Sequence, residues 1–252
     1  MGGHSHWSQI KRQKWANDAK RGQLFSKLVR EIAVAAREGG PDPDLNPRLR
    51  LAIERARDQN MPMDTIERAI KRATGADEEG SQYQEVRFEG YGPGGVAIMI
   101  DALTDNRNRT VSEVRQVLTR NGGSLGEAGC VSWQFDSRGV IVVETEEGQD
   151  ADEVALAAID AGAEDVKIEE GRIEVYTAPS DLSQVRSALE QRGVKVASAE
   201  VTMLPKASVP LDEKTAVQVL KLLDALEELE DVQRVYSNAE FPDSVLLEYA
   251  GR

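Results

Sequence analysis

Residues 131–204 constrain the fold more than any other stretch of the chain. Val140–Val143 is an apolar, β-branched run of strand length, and Ala151–Ala161 has helical spacing. Asp165–Ile168 and Arg172–Tyr176 read as two strands joined by a turn at Glu170-Gly171. Leu182–Gln191 returns to helical spacing, and Val194–Leu204 is extended. The order β-α-β-β-α-β is that of the split motif found in ferredoxin-like domains.

What flanks this unit has a different rhythm. Upstream, apolar residues fall at Phe25, Leu28, Val29, Ile32, Ala33 and Ala36, so a helix is expected up to Gly39-Gly40-Pro41. Asn46 followed by Pro47 marks the start of a second helix, with Leu49, Ala52, Ile53 and Ala56 inward. Asp64 with Glu67 resembles a capping box opening a third, with Ile66, Ala69, Ile70 and Ala73 as its buried face and Gly75 as its stop. Residues 76–84 are acidic and polar, as linkers are. Then the period drops to two. Val86–Glu89 and Val96–Ile100 read as strands joined by Gly92-Pro93-Gly94-Gly95, and a helix is expected from Thr110 to Arg120.

Downstream of Pro210 come one helix, about Asp212–Glu228, and a strand, Val232–Tyr236, with no sheet of their own. They are expected to return to the sheet begun near residue 85, which makes 131–204 an insertion. The expected class is therefore α+β multidomain: a basic helical bundle over residues 1–78, a discontinuous α+β domain over 79–130 and 205–252, and an acidic ferredoxin-like domain over 131–204.

Charge sorts along the same lines. Residues 1–75 hold 15 lysines and arginines against 9 acids, whereas the remainder holds 16 against 35, for a net charge of −13. A basic head on an acidic body suits a protein whose one end meets a polyanion. The inserted unit, with 6 basic residues against 16 acids, is a poor nucleic-acid surface and lacks the aromatic pattern of an RNA-recognition motif.

Several short motifs are present without the context they need. Gly90, Gly92 and Gly95 match a dinucleotide fingerprint but lead into a strand rather than a helix, so a hairpin turn accounts for them. Gly122, Ser124 and Gly126 match a nucleophile elbow, yet a helix precedes them and the only histidines are His4 and His6. Asp42, Asp44 and Asn46 start like a calcium loop, but Pro47 and Ile53 occupy the positions that need Gly and Glu. With two histidines and one cysteine, Cys130, neither a triad nor a zinc site can be assembled. No catalytic residue, metal or cofactor is expected, and a non-enzymatic protein is the reading. No apolar run is long enough to span a membrane, and a single cysteine suits a reducing compartment, so a cytoplasmic monomer with no membrane contact is expected.

The positive signal lies between His6 and Arg30. Lys11, Arg12, Lys14, Lys20, Arg21, Lys27 and Arg30 are interleaved with Trp7 and Trp15. Basic side chains neutralise phosphates and aromatic rings stack on exposed bases. The alternative is that the tryptophans anchor the segment while the lysines are solvated. A second cluster, Asp105 to Thr110, places Asn106, Arg107 and Arg109 ahead of a helix N-terminus, where a phosphate would be welcome. Its alternative is a capping loop whose arginines pair with the acidic body.

Four stretches carry a resemblance: Gly3-His4-Ser5-His6-Trp7, Asp18-Ala19-Lys20-Arg21-Gly22, Leu103 to Thr110, and Arg120-Asn121-Gly122-Gly123. With them the chain closely resembles, over nearly its whole length, the YebC/PmpR family of probable transcriptional regulators, which includes the mitochondrial translational activator of cytochrome c oxidase. His6 stands where that family usually has Lys, and Trp15 where it has a small residue. The resemblance implies the same three-domain layout. It also implies either a DNA-binding transcriptional regulator meeting promoter DNA, or a ribosome-associated translation factor that meets ribosomal RNA or tRNA and relieves stalling, notably at proline runs.

Overall fold

The computed structural model describes residues 18–75, 83–144, 150–169 and 171–250. It is a multidomain α+β protein with eight α-helices and two four-stranded sheets among the described residues. Packing divides it into two compact units. One comprises residues up to Val34, Ala76–Asp136 and Leu204–Arg252; the other comprises Ala35–Gly75 and Ser137–Met203.

In the first unit, strands β1 (Gln84–Tyr91) and β2 (Ala97–Thr104) form an antiparallel hairpin in register from Gln84 opposite Thr104 to Tyr91 opposite Ala97. The turn between them needs glycine: Gly94 and Gly95 have φ of 74° and 77°, a region costly for any residue with a Cβ. The three glycines of the dinucleotide-like match thus belong to a hairpin. Helix α4 (Arg107–Arg120) follows the three helices introduced below, and a short strand β3 (Ser124–Leu125) pairs with the end of β1.

Late in the chain come α7 (Glu213–Glu227) and β9 (Val232–Ser237). As expected, β9 completes the sheet, lying antiparallel to β2 with a bulge between Asp101 and Ala102; the sheet order is β3-β1-β2-β9. The core joins Ile98 and Ile100 of β2, Val114 and Leu118 of α4, Val219, Leu220, Leu222, Leu223 and Leu226 of α7, and Val232 of β9. Burying each of these side chains is worth about 1.5–3 kcal/mol, so α7 is held chiefly by its leucine-rich face.

In the second unit, β4 (Phe135–Glu144), α5 (Ala151–Asp160), β5 (Asp165–Glu169), β6 (Arg172–Thr177), α6 (Leu182–Gln191) and β7 (Val196–Pro205) follow the expected β-α-β-β-α-β order. The sheet order β5-β6-β4-β7 is the ferredoxin-like one. Ile141, Val143, Ile173 and Val175 of the sheet meet Val154, Ala157 and Ala158 of α5 and Leu182, Val185 and Leu189 of α6.

Helices α2 (Pro47–Asp58) and α3 (Met63–Thr74) belong to the same unit. Arg186 of α6 donates to the Asp58 carboxylate at 2.9 Å, and Leu51 packs against the ferredoxin-like core. The first helix, α1 (Asp18–Gly39), is shared between the units, its last turn lying in the second. There Asn46 caps α2 as expected, accepting from the Leu49 amide at 3.0 Å while its own amide group donates to Ala35 and Gly40.

Some local expectations need correction. The α3 helix starts at Met63 after Pro62, so Asp64 sits in its first turn rather than capping it. Helix α4 starts three residues earlier than the apolar pattern suggested, because Asn106 and not a later residue supplies the cap. A final helix, α8 (Asp243–Ala250), and a two-stranded parallel pair, β8 (Val209–Pro210) with β10 (Ala239–Glu240), had no forecast.

Candidate nucleic-acid interface

The Asp105–Thr110 cluster is built around one buried carboxylate. Asn106 ends the turn after β2; its side-chain oxygen accepts from the Arg109 backbone amide at 3.1 Å and its backbone N–H donates to Thr104 Oγ1 at 2.9 Å. This puts Arg107 and Arg109 inside the first turn of α4, not ahead of it. Asp231, at the start of β9 and almost wholly buried, brings its Oδ2 to 2.6 Å from the Arg109 guanidinium, 2.8 Å from Thr110 Oγ1 and 3.1 Å from Thr104 Oγ1. Its backbone oxygen accepts from the Leu103 amide. Burial works to raise the Asp231 carboxyl, but the hydrogen bonds from Arg109 and Thr110 and the Arg109 charge hold it below the ordinary aspartate value. Arg109 also donates to Asp105 at 2.9 Å and is raised further into its charged form, first by Asp231 and then by Asp105.

Arg107 stands differently. It is exposed and has no hydrogen-bond or ion-pair partner among the described residues. A cation at a helix N-terminus opposes the helix dipole. For Arg109 two carboxylates offset that cost; for Arg107 no described group does. The two arginines of the motif therefore divide into one tied into the fold and one open to an outside anion.

Lys27 and Arg30, on α1, are engaged within the first unit. The buried Lys27 ammonium donates to the Glu227 carbonyl at the C-terminal end of α7, where the helix dipole favours a cation. Arg30 donates to the Glu230 carbonyl at 2.7 Å, pairs with the Glu230 carboxylate, lies 3.7 Å from Asp231 Oδ1 and stacks 5.5 Å from the Tyr83 ring centroid. Glu31 on the same helix pairs with Arg234 of β9 at 3.2 Å. These contacts fix α1 beside the α7–β9 turn.

His6, Trp7, Lys11, Arg12, Lys14 and Trp15 lie outside the described residues. Lys20 and Arg21 belong to the first turn of α1. In the second unit, Lys71 and Arg72 of α3 are exposed, and Arg68 folds back onto the Asp64 carbonyl.

Two features escaped the sequence reading. Arg115 and Arg120 stand exposed on α4. Trp133 is 68% exposed, and its indole N–H donates to the Cys130 carbonyl, which also accepts from Tyr91 Oη at 3.0 Å. The loop bearing them hangs on Glu89, whose buried carboxylate accepts from the amides of Gly129, Val131 and Ser132 at 2.7–2.8 Å. Burial pushes the Glu89 carboxyl up, yet those amide hydrogen bonds hold it below the usual glutamate value. Helical spacing along Val114–Leu118 could have exposed Arg115; nothing in the sequence distinguishes Trp133 from a core tryptophan.

Among the described residues no group of three or more His, Cys, Asp or Glu side chains is placed to hold a metal ion, and no helix is long and apolar enough to cross a membrane.

Comparison with known proteins gives a consistent picture. The family model described as the TACO1/YebC protein N-terminal domain matches residues 5–76, and that for the TACO1/YebC second and third domain matches residues 83–239. A probable transcriptional regulatory protein of Dehalococcoides mccartyi is 58% identical over 249 residues, covering 99% of this chain and 98% of the relative. One from Halothermothrix orenii is 55% identical over 250 residues, with 98% of each chain covered. A crystal structure of a conserved hypothetical protein from Aquifex aeolicus superposes with a TM-score of 0.80 at 53% identity, covering 89% of this chain and 92% of that one.

Proposed function

The chain belongs to the TACO1/YebC family, and from that premise we propose that it is a non-enzymatic regulator of gene expression that binds nucleic acid and acts at the ribosome, meeting ribosomal RNA or tRNA and relieving stalled translation. The observation that carries the nucleic-acid reading is Arg107 at the head of α4, exposed and without a partner among the described residues, in a chain whose N-terminal 75 residues are basic and whose remainder is strongly acidic. An acidic body repels long DNA but tolerates a site where protein surfaces lie beside structured RNA. Trp7 and Trp15 suit unpaired bases in loops and ends better than a stacked duplex. The non-enzymatic reading rests on a sequence whose two histidines and one cysteine form no nucleophile–base set.

A second reading is favoured by the names of the relatives, probable transcriptional regulatory proteins. In that reading the same basic groups meet promoter DNA. The two separate in a competition at about 150 mM salt between purified ribosomes and promoter fragments for labelled protein, with sucrose-gradient sedimentation of lysates alongside. The ribosomal reading expects co-migration with ribosomal particles that high salt strips away. Tight, sequence-selective promoter binding that ribosomes do not displace overturns it in favour of transcription.

A further inference from the structure

Of the four strands that end the two four-stranded sheets, three offer little to an outside chain. In the first sheet β3 is only two residues long, and no residue of β9 is exposed. In the ferredoxin-like sheet no residue of β7 is exposed, and Arg55 of α2 lies 3.8 Å from Glu200 of β7. The fourth, β5, differs. Asp165, Ile168 and Glu169 are exposed, and among the described residues β5 pairs only with β6.

The β5 sequence, Asp165-Val166-Lys167-Ile168-Glu169, alternates charged and apolar residues. Val166 stands opposite Val175, and Ile168 opposite Ile173, both core residues, so the two apolar side chains share the face covered by the helices. Val166 packs against that core, whereas Ile168 stays 48% exposed. The charged side chains lie on the other face, where the Lys167 ammonium sits 5.3 Å from the Tyr176 ring centroid. Asp165 and Glu169 form no ion pair among the described residues. At the exposed edge the Val166 N–H donates to the Asp165 carboxylate at 2.9 Å, so it is turned away from β6. Antiparallel ladders alternate, so Ile168 turns its N–H and C=O outward as well. The edge therefore presents the backbone groups of two residues, one of them held by a neighbouring side chain that an incoming carbonyl would release.

We propose that β5 accepts an extended, basic segment of a partner protein as a fifth strand of the ferredoxin-like sheet. The segment carries apolar residues opposite Val166 and Ile168, and Lys or Arg opposite Asp165 and Glu169. Strand addition draws affinity from main-chain hydrogen bonds and specificity from alternate side chains. Charge fixes the sign of the partner. Residues 131–204 hold 16 acids against 6 bases, and two of those bases, Arg138 and Arg192, already pair with Glu164 and Asp160. Such a surface repels nucleic acid. A second copy fares no better. Antiparallel self-pairing that matches Val166 with Ile168 sets Lys167 against Lys167 and Asp165 against Glu169. A register that pairs Lys167 with either acid forfeits one of the apolar matches. A lysine on an edge strand is a common guard against self-pairing, and here it bars like strands while leaving Ile168 open. Five residues at about 3.4 Å each give a contact of roughly 17 Å, the length of an ordinary strand. Nothing in this contact requires nucleic acid, so its test is separate from that of nucleic-acid binding.

The test uses the full chain and a fluorescein-labelled peptide centred on Lys-Val-Thr-Ile-Arg, read by anisotropy at about 150 mM salt. Wild type should bind it at least about 10-fold more tightly than a scrambled peptide of the same composition, or one with proline in place of the valine. Ile168→Pro removes an outward N–H and no ladder bond, and should weaken binding about 10-fold or more. Ile168→Lys leaves the backbone intact but sets a cation against the basic peptide, and should weaken binding to a similar degree. Asp165→Asn with Glu169→Gln should weaken it roughly 3- to 10-fold and flatten its salt dependence. Leu156→Ser with Ile159→Ser removes two exposed apolar side chains from the outer face of α5 and should leave binding unchanged. Amides of residues 165–169 should exchange more slowly with the peptide bound. Failure of wild type to bind, equal binding of the scrambled peptide, unchanged binding by both Ile168 variants, or loss confined to the α5 variant each overturns the proposal. A wild-type dimer in sedimentation that Ile168→Lys dissolves assigns the edge to a second copy and overturns it too.

Discussion

Arg109 in the first turn of α4 reaches the buried carboxylate of Asp231, 122 residues further along the chain, at 2.6 Å. One oxygen of that carboxylate also faces Thr104 and Thr110, so a single acid at the start of β9 gathers the end of β2 and the head of α4. The motif that looks most like a ligand site is in half its members a structural clasp.

Replacing Asp231 by asparagine should therefore cost about 2 kcal/mol, since the amide turns donors toward Arg109 where an acceptor was. The folded Asp231 carboxyl lies below its ordinary value, so its contribution is fully present above the unfolded value near 3.9 and is lost as pH falls through the lower folded value. Urea unfolding at a series of pH values checks this: the gap between wild type and D231N should be constant from neutrality to about pH 5 and shrink below about pH 4. A gap that widens in acid contradicts it.

Arg107 and Arg109 should separate cleanly when changed singly. R109A is expected to lower stability by about 1–2 kcal/mol, because the buried Asp231 carboxylate loses its nearest cation and keeps only the Thr104 and Thr110 hydroxyls and the more distant Arg30. R107A should raise the urea midpoint slightly, by removing an uncompensated cation from the helix N-terminus, and reduce the salt dependence of nucleic-acid binding by about one phosphate contact. Equal effects of the two variants on both measurements would show that the motif acts as one unit.

Removal of residues 1–21 should abolish binding to ribosomal particles while leaving a cooperative unfolding transition. Among the described residues, Lys27 and Arg30 hold α1 to the first unit, and both lie beyond the cut. Binding by the folded truncation at wild-type strength would locate the polyanion contact elsewhere.

Glu89 offers a test of the Trp133 loop. In E89Q one of three amide donors meets a donor in place of an acceptor, for a loss of about 1–3 kcal/mol. Because the Glu89 carboxyl is held low, the wild-type advantage should persist above the ordinary glutamate value near 4.3 and fade as pH drops beneath it. In a background with Trp7 and Trp15 replaced by phenylalanine, Trp133 emission and acrylamide quenching report the loop directly. Identical quenching in E89Q and its parent would detach the loop from Glu89.

Much of the fold was readable because its signals are local. The Asn46-Pro47 start of α2, the glycine turn before β2 and the full span of α6 each depend on a few neighbouring residues. The return of β9 to β2 was inferred by elimination, from a strand with nowhere else to pair. The site was less legible. Asn106 caps α4 from within a polar run, so apolar spacing placed the helix start at Thr110. Whether Arg107, Arg109, Lys27 or Arg30 faces outward depends on carboxylates and carbonyls 120 to 200 residues away, and no spacing rule carries that information. The α8 helix had only eight residues of weak pattern to announce it.

The late arrival of β9 has a consequence for how the protein is made. Until the ribosome has delivered residues 232–237, β2 has one bare edge, and α7 is the last large piece of its core to emerge. The ferredoxin-like unit, complete by residue 205, can close first. A product cut short anywhere between these points carries a finished unit joined to an unpaired strand edge, the feature that invites aggregation and quality control. The fold thus makes translation through residue 237 a condition for stability, because a product that stops before β9 cannot close the first sheet.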